Sequence, residues 1–226
     1  AGCTPAARRT TALADAELLL KGPSVAPRWC LPPLPAGVSP ALISWVVCEQ
    51  LGLDPQVAAL GLPVPPHFPH LRLEAPCAGP GGCVSSGAAM ETERVQQLLH
   101  RGRRLGRRLR RPLVLAECVP GGTTTALAVL TGLGLPVQRL VSGSALRPPM
   151  ALKQQLVSEG LSRLPSHGQP DAIPLLAAVG DPFQAFATGL LIGLLDGDQS
   201  VLLAGGSQMA AVLALALHAL PSDRRQ

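Results

Sequence analysis

Aromatic side chains are nearly absent from this chain: they make up 2% of its 226 residues, as two Trp, three Phe and no Tyr. A core without rings has to be built from Leu, Val and Ala. A nucleic-acid platform of stacked rings is missing as well. Lysine is as scarce. Two of the 19 Lys and Arg residues are lysines, Lys21 and Lys153, so arginine carries the net charge of +5. Such a bias follows as readily from a GC-rich genome as from selection for Arg chemistry. No CxxC pair occurs among the six cysteines at 3, 30, 48, 77, 83 and 118. Cys77 and Cys83 stand in a Gly/Pro loop at a spacing unlike that of a zinc site. His67 and His70 lack an obvious third ligand, so no metal and no cofactor are expected. The most apolar stretch, Ala185–Leu195, is shorter than the roughly 20 residues that cross a bilayer, so no membrane partner is expected.

What is present is enough for a core: 47% hydrophobic residues and a mean hydropathy of +0.30. A chain this apolar does not need disulfide staples, so reduced thiols and a cytoplasmic location are expected. No charged-then-apolar leader is visible. The chain opens at Ala1 and not at Met, so some N-terminal sequence is expected to be missing.

The first 88 residues read as a helical, loop-rich part. Thr10–Lys21 predicts a helix stopped by Gly22-Pro23. Ser39-Pro40 predicts a second, with Ser at the N-cap and Pro in the first turn, ending near Leu51 and Gly52. Gly61–Gly87 is a long Pro/Gly-rich connection, with a short strand near Leu71–Glu74. From residue 89 to 226 the rhythm changes. Glu91–Leu109 is an amphipathic helix with Val95, Leu98, Leu99, Leu105 and Leu109 on one stripe. Its arginines, within the run 101–111, read as a solvated face, so nucleic acid is not an expected partner. Strand 112–117, helix 123–133, strand 137–142, helix 150–163, a helical run near 182–195, strand 200–204 and helix 207–219 follow. That alternation predicts an α/β fold with a doubly wound, mostly parallel, Rossmann-like sheet.

The segment Pro112–Gly134, PLVLAECVPGGTTTALAVLTGLG, carries the most chemistry. A strand reaches Glu117, then Gly121-Gly122 lets the backbone approach a ligand closely, and Thr123, Thr124 and Thr125 open a helix whose first amides favour a phosphate. Alone, such a turn is more often a structural corner with Thr caps. No Lys follows Gly122, so it is not a Walker A loop. A second strand, in VLLAGGSQM, ends in Gly205-Gly206 and enters a helix at Ser207 and Gln208. Two such turns in one parallel sheet favour a shared cleft. In VGDPFQAFATG, Gly180 precedes Asp181 and Pro182, and helix capping alone accounts for Asp181. In SGSALRPPMALK, small residues including Ser144 lead to Lys153, which reads either as a point charge for a phosphate or as a solvated helix lysine.

Together AECVPGGTTTALAVLTGLG, GDPFQ, LLAGGSQMAAVLAL and the N-terminal AGCTPAARRTTALADAELLLKGP resemble the archaeal and cyanobacterial branch of the nicotinate-nucleotide:dimethylbenzimidazole phosphoribosyltransferase family. The similarity spans nearly all of the chain. It implies transfer of phosphoribose from nicotinate mononucleotide to a benzimidazole-type base. The products would be α-ribazole phosphate and nicotinate, in assembly of the cobalamin lower ligand. It also implies that Glu117 lies in the active site and that the Gly121–Thr124 backbone lies near the ligand phosphate. Lys153 would correspond to a lysine that follows a Gly/Ser strand end, Gly180 to a glycine-rich phosphate turn, and Gly205 or Gly206 to a strand-end glycine near the base. The glutamate that serves as base in the better-studied bacterial branch lies close to its C-terminus and has no match here. Either it lies outside this chain, or this branch uses another group, with Glu117 and Asp181 as the catalytic candidates. Small-molecule substrates and a homodimer are the expected partners. The rivals are a non-catalytic nucleotide- or phosphate-binding protein of the same fold and an Arg-rich RNA-binding module.

Overall fold

The structure is a computed structural model that describes residues 5–26, 28–31, 39–76, 78–143, 147–165 and 170–221. The chain divides into two compact units. One takes in the chain as far as Pro80 together with Cys118–Pro120, the other Gly81–Glu117 together with the chain from Gly121 onward.

In the first unit, helices α1 (Pro5–Lys21) and α2 (Pro40–Leu51) are followed by a short parallel pair, β1 (Ala58–Ala59) and β2 (Leu71–Arg72). Ser39 caps α2 as its sequence predicts: its Oγ accepts from the Ala41 amide at 3.1 Å. The same hydroxyl donates to Asp15 Oδ1 on α1 at 2.6 Å, tying the two helices. Gly52 closes α2 in the left-handed region at φ 61°, where a residue without a Cβ is favoured. Lys21, one of the two lysines, donates to the buried Glu17 at 2.9 Å. Burial alone would raise the Glu17 pKa; hydrogen bonds from Lys21, His67 and the Arg28 amide outweigh it and hold it at about 2.

The second unit contains α3 (Thr92–Gly106), β3 (Leu113–Ala116), α4 (Gly122–Gly132), α5 (Met150–Leu161), α6 (Ala172–Val179), α7 (Pro182–Asp196), β4 (Val201–Ala204) and α8 (Ser207–Ala219). Strands β3 and β4 pair in parallel, with Leu113 opposite Val201 and Ala116 opposite Ala204. Alternation along the strands sends Leu115, Val201 and Leu203 onto a core of Ala187, Leu191, Val212 and Ala216 from α7 and α8. The class is thus α/β with parallel pairing. Among the described residues this sheet has two strands, fewer than the alternation predicts. The predicted strand at 137–142 is a loop: the Leu140 amide turns back to the Val137 carbonyl and the Leu140 side chain is exposed. With no strand beside it, the run's β-propensity has nothing to pair with. Helix α6, which no periodicity in the sequence announced, fills the space before Gly180.

Helices α3 and α7 approach at backbone distance. Gly102 and Gly106 of α3 continue the face marked by Val95 and Leu98 and are buried. Gly189 and Gly193 face them from α7. A Cβ on Gly102 would stand 2.1 Å from the Phe186 carbonyl oxygen, and one on Gly189 2.1 Å from that of Leu99. Small residues four apart on both partners let the helices touch along this seam. At the end of the seam Asp196 accepts from Arg103 and Arg107, each at 2.8 Å, so part of the arginine run is paired within the chain. No helix among the described residues is long and apolar enough to cross a membrane.

The seam yields a prediction whose sign separates packing from propensity. In an exposed helix Gly→Ala gains up to about 1 kcal/mol. Gly189→Ala is expected instead to destabilise by about 2–3 kcal/mol through overpacking, seen as a lower denaturant midpoint at unchanged slope. An unchanged or higher midpoint would refute the close approach.

Candidate functional site

The register of the sheet decides what meets what. Ala116 and Ala204 are opposite each other at the ends of β3 and β4, so Glu117 and Gly205 leave the sheet side by side at its C-terminal edge. In parallel α/β sheets that edge is where ligand crevices form. Both Gly-Gly turns therefore start from one place.

Both turns put a glycine at a helix N-cap, with different backbone conformations. Gly121 stands at the N-cap of α4 in the left-handed region, φ 78°, and a Cβ there would meet nothing within 4 Å. Its glycine serves backbone conformation, not packing. Gly122 is buried as the first residue of the helix. Gly206 occupies the N-cap of α8, again with open space where a Cβ would be. Neither helix start receives a side-chain cap, so the dipoles of α4 and α8 point to the sheet edge without a capping carboxylate or hydroxyl among the described residues. Gly205 has a packing reason as well, since a Cβ there would press on Met209 Cγ at 2.8 Å. Ser207 is half-buried and Gln208 is buried at the start of α8. Glu117 is half-buried just past β3.

Lys153 is buried, reaching from α5 to the start of α4. Its Nζ donates to Thr123 Oγ1 at 3.1 Å and to the Ser142 carbonyl. An ammonium has three donors, and the third has no partner among the described residues. Burial pushes its pKa below the usual lysine value. Among the described residues no carboxylate offsets its charge, and a buried cation without a counter-charge favours an incoming anion. The solvated-lysine alternative does not describe this side chain. Ser144, the neighbouring candidate, lies outside the described residues.

Asp181 is buried and caps α7. Its Oδ1 accepts from the Gln184 amide at 2.9 Å while Gln184 Oε1 accepts from the Asp181 amide at 3.1 Å, a reciprocal capping box. Its Oδ2 accepts from Thr125 Oγ1 at 2.5 Å and from Gln208 Nε2 at 2.7 Å. Burial drives its pKa above the ordinary carboxylate value, against the donors from Thr125, Gln184 and Gln208. Gly180, just before it, is buried where a Cβ would lie 2.7 Å from Leu176 Cδ2, so close packing requires a glycine there. The bonds of Asp181 bring the GGTTT, GDPFQ and GGSQM segments together. Thr125, legible in the sequence only as the third threonine of the helix start, belongs with the candidates, as does Gln184. The spacing Asp181-x-x-Gln184 carried the capping signal, whereas nothing local to Thr125 pointed to a partner 56 residues away. A cleft of about 560 Å³ between α4 and α5, lined by Leu127, Thr131, Gln154 and Val157 among others, includes none of these residues. Among the described residues no group of three His, Cys, Asp or Glu side chains is placed to hold a metal.

A family model described as phosphoribosyltransferase matches residues 41–223. A UPF0284 protein of Prochlorococcus marinus (strain MIT 9313) is 62% identical over 227 residues, covering 100% of this chain and 56% of that protein. A UPF0284 protein of Parasynechococcus marenigrum (strain WH8102) is 60% identical over 228 residues, covering 100% and 57%. This chain therefore spans little more than half the length of these relatives. CobT from Thermus thermophilus has the same fold at 20% identity, with a TM-score of 0.71 over 98% of this chain and 61% of that one. A nicotinate-nucleotide-dimethylbenzimidazole phosphoribosyltransferase from the same organism superposes at a TM-score of 0.62 and 23% identity, over 77% of this chain and 52% of that one.

The buried ammonium is open to a direct test. Lys153→Met keeps the length and removes the charge. Its thermal midpoint is expected to hold or rise, because a buried charge without a counter-charge is lost. Affinity for ribose 5-phosphate, measured by calorimetry, is expected to fall about tenfold or more. Equal affinity in the two proteins would remove Lys153 from any anion site.

Proposed function

Because this chain belongs to the phosphoribosyltransferase family, we propose that it transfers phosphoribose from nicotinate mononucleotide to a benzimidazole-type base. The products are an α-ribazole phosphate and free nicotinate, as in assembly of the cobalamin lower ligand. One observation carries the reading: a buried Lys153 whose third donor has no partner among the described residues, bonded to Thr123 at the start of a helix that opens on the edge where Glu117 and both Gly-Gly turns lie.

In this reading the amides of Gly122 and Thr123, with Lys153, hold the 5′-phosphate. The Gly205-Gly206 turn lies across the same edge, where its open backbone admits the rest of the ligand. The ribose is then fixed relative to Glu117. The bond from ribose C1′ to the pyridinium nitrogen breaks with its electron pair going to nicotinate, a good leaving group because the bound ring is cationic. The azole nitrogen forms the new bond to C1′, and the azole N–H proton passes to a carboxylate. Glu117 is the carboxylate proposed for that step; Asp181, with both oxygens already accepting hydrogen bonds from within the chain, is less available for it. Positioning and proton removal supply the catalysis. The name of the Thermus thermophilus phosphoribosyltransferase supports the choice of substrates.

The intact protein, and in parallel its Prochlorococcus marinus relative, is incubated with nicotinate mononucleotide and dimethylbenzimidazole, and released nicotinate is measured. Release is expected, with kcat lowered about 100-fold or more in Glu117→Gln. The absence of both release and binding would contradict the proposal. Binding without release would favour the rival, a non-catalytic nucleotide-binding protein.

A further inference from the structure

The polar cluster at Asp181 has a fixed sense. The Asp181 amide can only donate, so the side-chain oxygen of Gln184 must face it. That turns Gln184 Nε2 toward Gln208 Oε1 at 2.8 Å. Gln208 Nε2 is then left to donate to Asp181 Oδ2 at 2.7 Å and to Thr125 Oγ1 at 3.2 Å. The one hydroxyl proton of Thr125 has two acceptors in reach, the Gly122 carbonyl at 3.1 Å and Asp181 Oδ2 at 2.5 Å, and the shorter bond takes it. The sense of the Gln184 and Gln208 bonds is thereby set.

The members come from three helix starts. Thr125 lies in the first turn of α4, Asp181 and Gln184 begin α7, and Gln208 is the second residue of α8. Asp181, Gln184 and Gln208 are buried. A cluster needed only to cap α7 would stop at the Asp181–Gln184 box. This one extends to the two helices whose own starts lack a side-chain cap.

We propose that Thr125 and Gln208 are positioning residues that act through Asp181, locking the open starts of α4 and α8 at one fixed separation and orientation for a ligand carrying a phosphate. The inference rests on the phosphoribosyl-transfer reading for its catalytic consequence, but the lock itself does not depend on it. None of the three side chains then needs to touch the reacting atoms. Because a ligand held at both helix starts reads their relative placement, loosening the lock degrades the reactive geometry before it abolishes binding.

The test uses the intact protein with Thr125→Val, which keeps the shape and removes the hydroxyl, and Thr125→Ser, which restores it. Amide hydrogen exchange reads the lock without substrate, at Thr124, Gln184 and Ala210, each hydrogen-bonded in the first turn of its helix. Nicotinate release reads the consequence. In Thr125→Val, exchange is expected to quicken about tenfold or more at Gln184 and Ala210 as well as at Thr124. In the same variant kcat falls about tenfold or more and KM for nicotinate mononucleotide stays within about threefold; Thr125→Ser returns both readouts toward wild type. Quickening confined to Thr124, or an unchanged kcat in folded Thr125→Val, would overturn the inference, as would a Ser variant no better than Val. A wild-type protein that releases no nicotinate would instead overturn the proposed activity, and the exchange data would still decide whether the lock exists.

Discussion

One buried carboxylate holds the second unit's working edge in place. Asp181 accepts from the start of α4, from its own helix α7 and from the start of α8. Removing any donor leaves a buried acceptor short of a partner, which costs more than the bond contributed. The three segments therefore keep one arrangement. Helix α7 is itself immobilised along α3, where glycines bring the two backbones into contact. The side of the sheet facing α7 and α8 is packed by Leu115, Val201 and Leu203, and the strands end in register where the Gly-Gly turns begin. The placement of the site thus follows from packing that lies beneath it.

The division of labour between capped and open helices follows from residue choice. Asp181 and Gln184 close α7 with a capping box of their own side chains. Glycine at the N-cap of α4 and α8 has no side chain to accept from the first turn, so those helices start without a side-chain cap of their own. Lys153 adds a positive charge to the first of these openings without a carboxylate to cancel it among the described residues. A phosphate is what such a place favours.

What the sequence disclosed was what is encoded locally. Ser39-Pro40 and Gly52 bound α2 because cap chemistry is a matter of adjacent residues. The two Gly-Gly turns and the Asp181 cap are legible for the same reason. The strand expected at 137–142 failed because a strand exists only with a neighbour, and Leu140 finds none. Helix α6 was hidden because it is apolar on all sides and shows no stripe. The meeting of Thr125, Asp181 and Gln208 could not be read from spacing, since the fold and not the chain makes them neighbours. Lys153 was ambiguous for a similar reason: its burial depends on how α5 lies on α4. Gly102 and Gly106 went unnoticed in the sequence because their role is set by the backbone of α7 against them.

The central claim is that the start of α4 and Lys153 together form the phosphate seat of a phosphoribosyl site. A crystal structure of the intact protein with nicotinate mononucleotide tests it most directly. The account predicts the phosphate within hydrogen-bond distance of Lys153 Nζ and of the amides in the Gly121–Thr124 turn, with the ribose on the Glu117 side. A nucleotide bound elsewhere, or a phosphate seated away from Lys153, would contradict it.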